Sequence, residues 1–188
     1  MLFRSEVGLT DGQSDILIFS SAGKAIRFSE TAVRLMGRTA RGVRGIRLGD
    51  KHEVISLICI DGEGTVLLAT ANGYGKRTRY EDFPTKGRGG QGVIAIQANE
   101  RNGDVVGAVS VSDEDEIMLI SDKGTLVRTP VEGVSVIGRN TQGIRLINVS
   151  DGECLVGVEP IADLNGGDEA DDNDESDGAV DEAPVSDD

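Results

Sequence analysis

Tryptophan is absent from this 188-residue sequence, and aromatic residues make up only 3% of it. Any core must therefore be built from Val, Ile, Leu and Ala. No run of 18 apolar residues occurs, so no membrane-spanning helix and no membrane partner are expected. The N-terminal MLFRSEVGLT carries no apolar h-region, so no secretory signal is expected. Histidine is nearly absent too. His52 stands alone in the turn GDKHEV, with no Cys or His cluster that could hold zinc. The nearest thing to a phosphate-binding P-loop is GYGKRT at 73–78, which fails on spacing and on its last residue. No Ser, Cys or His arrangement marks a nucleophile. A chain without catalytic machinery and without a resident cofactor is the expectation. The two cysteines, Cys59 and Cys154, lie in apolar runs and read as buried, reduced thiols of a cytosolic protein.

What is abundant is glycine, 26 residues against 4 prolines. Together with many short apolar runs, this points to many turns between short strands. Charge is abundant as well, and unevenly placed. The net charge is −14, yet residues 162–188 hold 12 acids and no base, which leaves 21 acids against 19 bases in residues 1–161. The acidity belongs to a tail that has too little apolar surface to offset its ordering entropy, and disorder is expected there.

The near-neutral body contains a repeat. DILIFSSAGKAIRF from residue 15, TVLLATANGYGKRT from 65 and EIMLISDKGTLVRT from 116 superpose. Gly23, Gly73 and Gly124 align, as do Arg27, Arg77 and Arg128. Further on, Gly37, Gly87 and Gly138 align, then Arg38, Arg88 and Arg139, then Gly42, Gly92 and Gly143. The offsets are 50 and 101 throughout. Internal repeats of this length signal an array of like units.

Each unit holds four apolar runs of strand length. The first gives 16–20, 25–28, 42–48 and 53–60. The second gives 65–70, 75–79, 92–97 and 105–111. The third gives 116–121, 125–129, 143–148 and 154–158. A left-handed glycine in SSAG, TANG and SDKG closes a hairpin between the first two runs. Ser29 could open a short helical turn after the second run, and Pro84 limits the equivalent turn in the second unit. The reading is all-β: a propeller-like array of four-stranded blades at 15–64, 65–115 and 116–161. Residues 1–14 read as the stub of a preceding blade, since SEVGL at 5–9 resembles the end of a fourth strand. The chain is therefore expected to begin inside a longer array.

The bases follow the repeat. Sixteen of the 19 Lys and Arg residues fall at two repeat positions. One group flanks the hairpin glycine and includes Lys76, Arg77, Lys123 and Arg128. The other lies in the long Gly-rich loop and the strand after it, and includes Arg38, Arg41, Arg44, Arg47, Arg88, Arg139 and Arg145. The stretch 37–48, GRTARGVRGIRL, holds four arginines and no acid. Equivalent positions in stacked repeats face the same way, so these bases form a stripe along one edge. Glycine lets main-chain N–H groups approach a phosphate, and Arg forks onto its oxygens. No base-reading helix is evident, so largely sequence-independent, strongly salt-dependent binding of a nucleic-acid phosphate backbone is predicted. Ordinary solvated surface charge would mix the signs instead.

VRLMGRTARGVRGIRLGD, ATANGYGKRT, EDFPTKG, ERNGDVVGAV and KGTLVRTPVEGVSVIGRNTQGIRLI resemble the C-terminal domain of the DNA gyrase A family, over about residues 5–161. The resemblance implies a β-pinwheel, in which neighbouring blades exchange a strand and DNA wraps around a basic rim. It implies double-stranded DNA as a partner. It also implies the remainder of the gyrase A protein and the gyrase B protein, in an A2B2 complex that supercoils DNA negatively in the bacterial cytoplasm. The family's box, Q-R-R-G-G-K-G, is not present. KGRGGQG at 86–92 is a degenerate copy, with Gly87 where the box has Arg and Gln91 where it has Lys. The catalytic tyrosine domain is absent, so the chain by itself is expected neither to cleave nor to supercoil DNA. Two alternatives stay open: the C-terminal domain of the topoisomerase IV A protein, and a propeller-type protein-interaction module. The tail could compete with DNA for the stripe or simply solubilise the domain.

Overall fold

Each repeat opens with the hairpin its glycine requires. In a computed structural model describing residues 6–60 and 62–161, Gly23, Gly73 and Gly124 all take positive φ, at 72°, 81° and 84°. The hairpins join β1 (Asp15–Ser20) to β2 (Lys24–Ser29), β4 (Thr65–Thr70) to β5 (Tyr74–Arg79), and β8 (Glu116–Ser121) to β9 (Leu126–Pro130). A 3₁₀ turn follows each second strand, at Glu30–Ala32, Tyr80–Asp82 and Val131–Gly133. Ser29 caps the first of these, its side chain accepting from the Thr31 N–H. The fourth runs become β3 (Val54–Ile60), β7 (Val105–Val111) and β11 (Leu155–Ile161), each antiparallel to the first strand of its own unit.

The third run of each unit goes elsewhere. β6 (Val93–Ile94), from the second unit, pairs with β2 of the first, Lys24 opposite Ile94 and Ala25 opposite Val93. β10 (Ile144–Arg145), from the third unit, pairs with β5 of the second, Ile144 opposite Gly75 and Arg145 opposite Tyr74. The sheets therefore run β3-β1-β2-β6, β7-β4-β5-β10 and β11-β8-β9. This is the strand exchange of a pinwheel. The exchange is stitched identically at both seams. The Gly23 carbonyl accepts from the Ala95 and Ile96 N–H groups, and the Gly73 carbonyl from those of Leu146 and Ile147.

Three expectations fail here. Only two residues of 92–97 and two of 143–148 are strand, because the exchanged segment pairs on one side only and leaves β2 or β5 after two rungs. The run 42–48 is not strand at all, since among the described residues no earlier blade supplies an edge for it. Residues 6–9 of the expected stub likewise form no strand, though the Leu57 N–H donates to the Glu6 carboxylate at 2.6 Å. The disorder expected for 162–188 lies outside the described residues.

The cores lie between blades. Leu17 and Phe19 of the first blade pack against Val66, Leu68 and Phe83 of the second unit, with Phe19 and Phe83 edge-to-face at 5.7 Å. Leu67 and Ala69 of the second blade pack against Ile117 and Leu119 of the third. The middle blade is covered on both faces, which is why TVLLAT is apolar without alternation. In β8 the burial alternates instead: Ile117 and Leu119 are buried, Met118 and Ile120 only half-buried. Cys59 and Cys154 are half-buried rather than buried, and neither is in a disulfide among the described residues.

Candidate nucleic-acid interface

The exchanged segment must cross the outer strand of the neighbouring blade, and the crossing fixes where the Gly-Arg loops project. At the first seam Gly92 has φ 74°, and a Cβ there would lie 2.3 Å from the Ala25 carbonyl oxygen. At the second, Gly143 has φ 79° and would meet the Gly75 carbonyl at 2.6 Å. Glycine is needed at both for backbone conformation and for closeness of approach. The residues before them differ in exposure: 86–91 are mostly exposed and 137–142 mostly half-buried.

The aligned arginines of these loops are anchored by carbonyls. Arg88 donates from Nε to the Ala32 carbonyl at 3.0 Å and from Nη1 to that of Arg44 at 3.2 Å. Arg139 donates from Nη1 to the Ile94 carbonyl at 2.8 Å. Arg88 thus ties the loop of the second unit to that of the first. Backbone bonds from the Arg47 N–H to the Gly90 carbonyl and from Gly89 to Gly45 complete that junction. The structure brings Arg44, Arg47 and Arg88 together in this way. Arg38 is exposed in the turn closed by the Ala40 N–H on the Gly37 carbonyl, and Arg41 is exposed just after it. Arg139 is half-buried. Arg145 is exposed, on β10 one seam along.

The hairpin bases behave differently. Arg77 is buried, donating from Nε to the Val134 carbonyl at 2.8 Å and from Nη1 to Asp113. Arg27, one repeat earlier, pairs with Asp15 at 2.7 Å and reaches the Tyr80 carbonyl at 2.8 Å. This column holds the exchanged segment to the blade it covers. Lys76 is fully buried. Its Nζ donates to the carbonyls of Gly138, at 2.7 Å, and Arg139, and to Thr141 Oγ1 at 3.1 Å. Burial, with Arg139 nearby, pushes its ammonium down to about 8. Lys76 and Arg77 therefore offer no surface to a ligand, and the expectation that they touch phosphate is corrected. Repeat register groups them with the surface bases because it places a residue along the chain without saying which side of a seam it faces. Arg128 is exposed and paired with Glu116, and Lys123 is exposed with Nζ on the Asp151 carbonyl at 3.1 Å.

Two exposed bases among the described residues, Lys51 and Arg101, lie outside the two basic columns. Arg101 lies in the turn before β7, donates to Gln142 Oε1 at 2.8 Å and packs on Tyr74. Arg101 belongs to neither of the two basic columns, so sorting the bases by those columns passes over it.

Antiparallel blades joined by an exchanged strand, with glycine-arginine loops on the outer edge, define a propeller-type domain of the pinwheel kind. The family model for the DNA gyrase C-terminal domain, a β-propeller, matches residues 14–61, 64–112 and 115–162. The chain belongs to that family. The DNA gyrase A protein of Pseudomonas aeruginosa is 54% identical over 163 residues, covering 87% of this chain and 18% of the relative. That of Escherichia coli K12 is 53% identical over 157 residues, covering 84% and 18%. The chain thus spans under a fifth of the length of these curated relatives. A solved DNA gyrase A C-terminal domain superposes with TM-score 0.73 at 28% identity, over 80% of this chain and 51% of that one. The C-terminal domain of a DNA topoisomerase IV gives 0.77 at 24%, over 83% and 49%, a likeness of fold alone.

Proposed function

We propose that this chain binds double-stranded DNA with little regard to sequence and wraps it along the outer edge of its blades. It would do so as the C-terminal part of a gyrase A protein in the bacterial cytoplasm. The observation that carries this is the anchoring of Arg88 and Arg139 at equivalent points of successive seams, with Arg38, Arg41, Arg44, Arg47 and Arg145 exposed around them. Carbonyl-anchored guanidiniums lose less side-chain entropy on meeting a phosphate than free ones do. A duplex following several seams must bend, at on the order of a few kcal/mol, offset by the phosphate contacts the bend permits. Cleavage and ATP use would fall to the rest of the gyrase A protein and to the gyrase B protein, and the wrap would set the sign of supercoiling in the A2B2 enzyme. Lys123 and Arg128 extend the track at the third blade.

The test is duplex binding by the 188-residue chain across a salt series. Affinity should fall steeply with salt, by about 0.9 in log–log slope per phosphate neutralised. Arg38, Arg88 and Arg139 changed together to Ala should flatten that slope. A folded chain that binds no duplex, or binds it regardless of salt, would fit a protein-interaction module instead.

A further inference from the structure

Tyr74 opens β5 at the hairpin end of the second blade, with its side chain buried. Two guanidiniums lie against its ring: Arg101 Cζ is 4.6 Å from the centroid and Arg145 Cζ 5.0 Å. Arg145 sits directly opposite Tyr74 in the exchanged strand and donates from Nη2 to the phenol oxygen at 2.5 Å. The two arginines come from different units, so strand exchange is what brings them together. Their other partners are neutral: Arg101 donates to Gln142 Oε1 and Arg145 to Asn148 Oδ1, each at 2.8 Å. Among the described residues neither forms an ion pair. The pair holds the phenol below its ordinary value of 10.0, Arg101 most strongly, against the upward push of burial.

Two like charges gathered on one ring without a carboxylate are suited to an anion that binds them both. The place fits the track. The Gln97 N–H donates to the Thr141 carbonyl at 2.9 Å and Asn102 Nδ2 to that of Gln142 at 3.1 Å, so the Arg101 turn is fastened to the loop that carries Arg139. The first blade has a counterpart. Lys24 occupies the repeat position of Tyr74, and it lines a cavity of about 230 Å³ with Arg47, His52 and Gln91 and without any acid.

We propose that Arg101 and Arg145, set in place by Tyr74, form a phosphate clamp that grips the DNA backbone at the hairpin end of the second blade. The proposal rests on the DNA-binding reading above. Tyr74 is a positioning residue: it orders two guanidiniums that would otherwise repel and scatter, so that both donate to one phosphodiester.

The test compares R101Q/R145Q, Y74F and the Arg38, Arg88 and Arg139 triple variant with the unaltered chain. Each is measured for duplex affinity over a salt series and for its thermal melt. R101Q/R145Q should lower the log–log salt slope by about two, one for each lost phosphate contact. Y74F keeps both charges, and should weaken binding a few-fold with nearly the original slope. If R101Q/R145Q melts early, R101E decides alone, since Arg101 is outside every strand: it must lower the slope by about one or more. A slope unchanged in the folded variant, while the triple variant flattens it, overturns the clamp and leaves the DNA reading standing. If the unaltered chain does not bind the duplex, both fall together.

Discussion

Arg77 of the second blade donates its Nε to the carbonyl of Val134, a residue of the third unit, at 2.8 Å. Arg27 makes the corresponding reach from the first blade into the second unit, to the Tyr80 carbonyl. A parallel bridge accompanies each, Arg27 with Thr85 and Arg77 with Val136. The arginine column is therefore part of the seam. Replacing Arg77 by Ala should destabilise the chain by about 2–4 kcal/mol, because a buried carbonyl loses its charged donor and a cavity opens beside it. Denaturant unfolding measures this. The salt slope of duplex binding, taken where the variant is folded, should stay as it was.

Substitution of the loop glycines separates backbone strain from seam contact. Gly42, Gly92 and Gly143 have nearly the same φ, at 80°, 74° and 79°. A Cβ at Gly92 or Gly143 would strike a carbonyl of the neighbouring blade, whereas one at Gly42 would meet nothing within 4 Å. Gly42→Ala should cost about 1–2 kcal/mol, from the left-handed conformation. Gly92→Ala and Gly143→Ala should cost more, about 2–4 kcal/mol, since the strand crossing must open as well. Equal losses at all three positions would show that the seams do not depend on close approach.

Lys76 makes stability depend on pH on the alkaline side. Its ammonium releases its proton at about 8 in the folded chain, against an ordinary value of 10.5. Between these values the unfolded chain binds more protons, so the free energy of unfolding rises with pH across that window. Below about pH 8 both states are protonated and this slope disappears. Lys76→Met should remove the alkaline rise relative to the unaltered chain, and unfolding curves from pH 7 to 10 would detect the difference.

Glu153 acts on the acidic side. Its carboxylate accepts from Ser121 Oγ at 2.5 Å and Thr125 Oγ1 at 2.7 Å, and from the Ser150 N–H at 3.2 Å, tying the third hairpin to the turn before β11. These bonds hold it at about 2, below its ordinary 4.5, with the Ser121 hydroxyl contributing most. Its contribution is fully present above pH 4.5 and is lost as pH falls towards 2. Glu153→Gln should therefore destabilise the chain at neutral pH and narrow its gap to the unaltered chain on acidification, as read from melts at pH 7 and pH 3.

The repeat was legible in the sequence because the same turn needs the same residue each time. Gly23, Gly73 and Gly124 stand out for their φ, and the strands they join fall within a residue or two of the apolar runs. The Gly-Arg loops were legible as well, from the absence of acids between residues 37 and 48. The division of the bases into surface and seam was not. Arg27 and Arg77 align with exposed Arg128, and nothing in their spacing tells that the first two are covered by a following unit. Lys76 has Ile26 and Val127 as its counterparts, so its burial is in register, but its three oxygen partners come from residues 138–141, more than sixty positions along.

Local chemistry, then, was fixed by the order of residues alone: hairpins at glycine, strands where apolar runs fall between turns, and charge sorted by repeat position. These follow from backbone sterics and solvation, which act over a few residues. Which units share a sheet, which arginines hold a seam, and that Arg101 and Arg145 meet on Tyr74 were decided by tertiary structure, because each depends on an exchanged strand carrying residues of one unit onto the next.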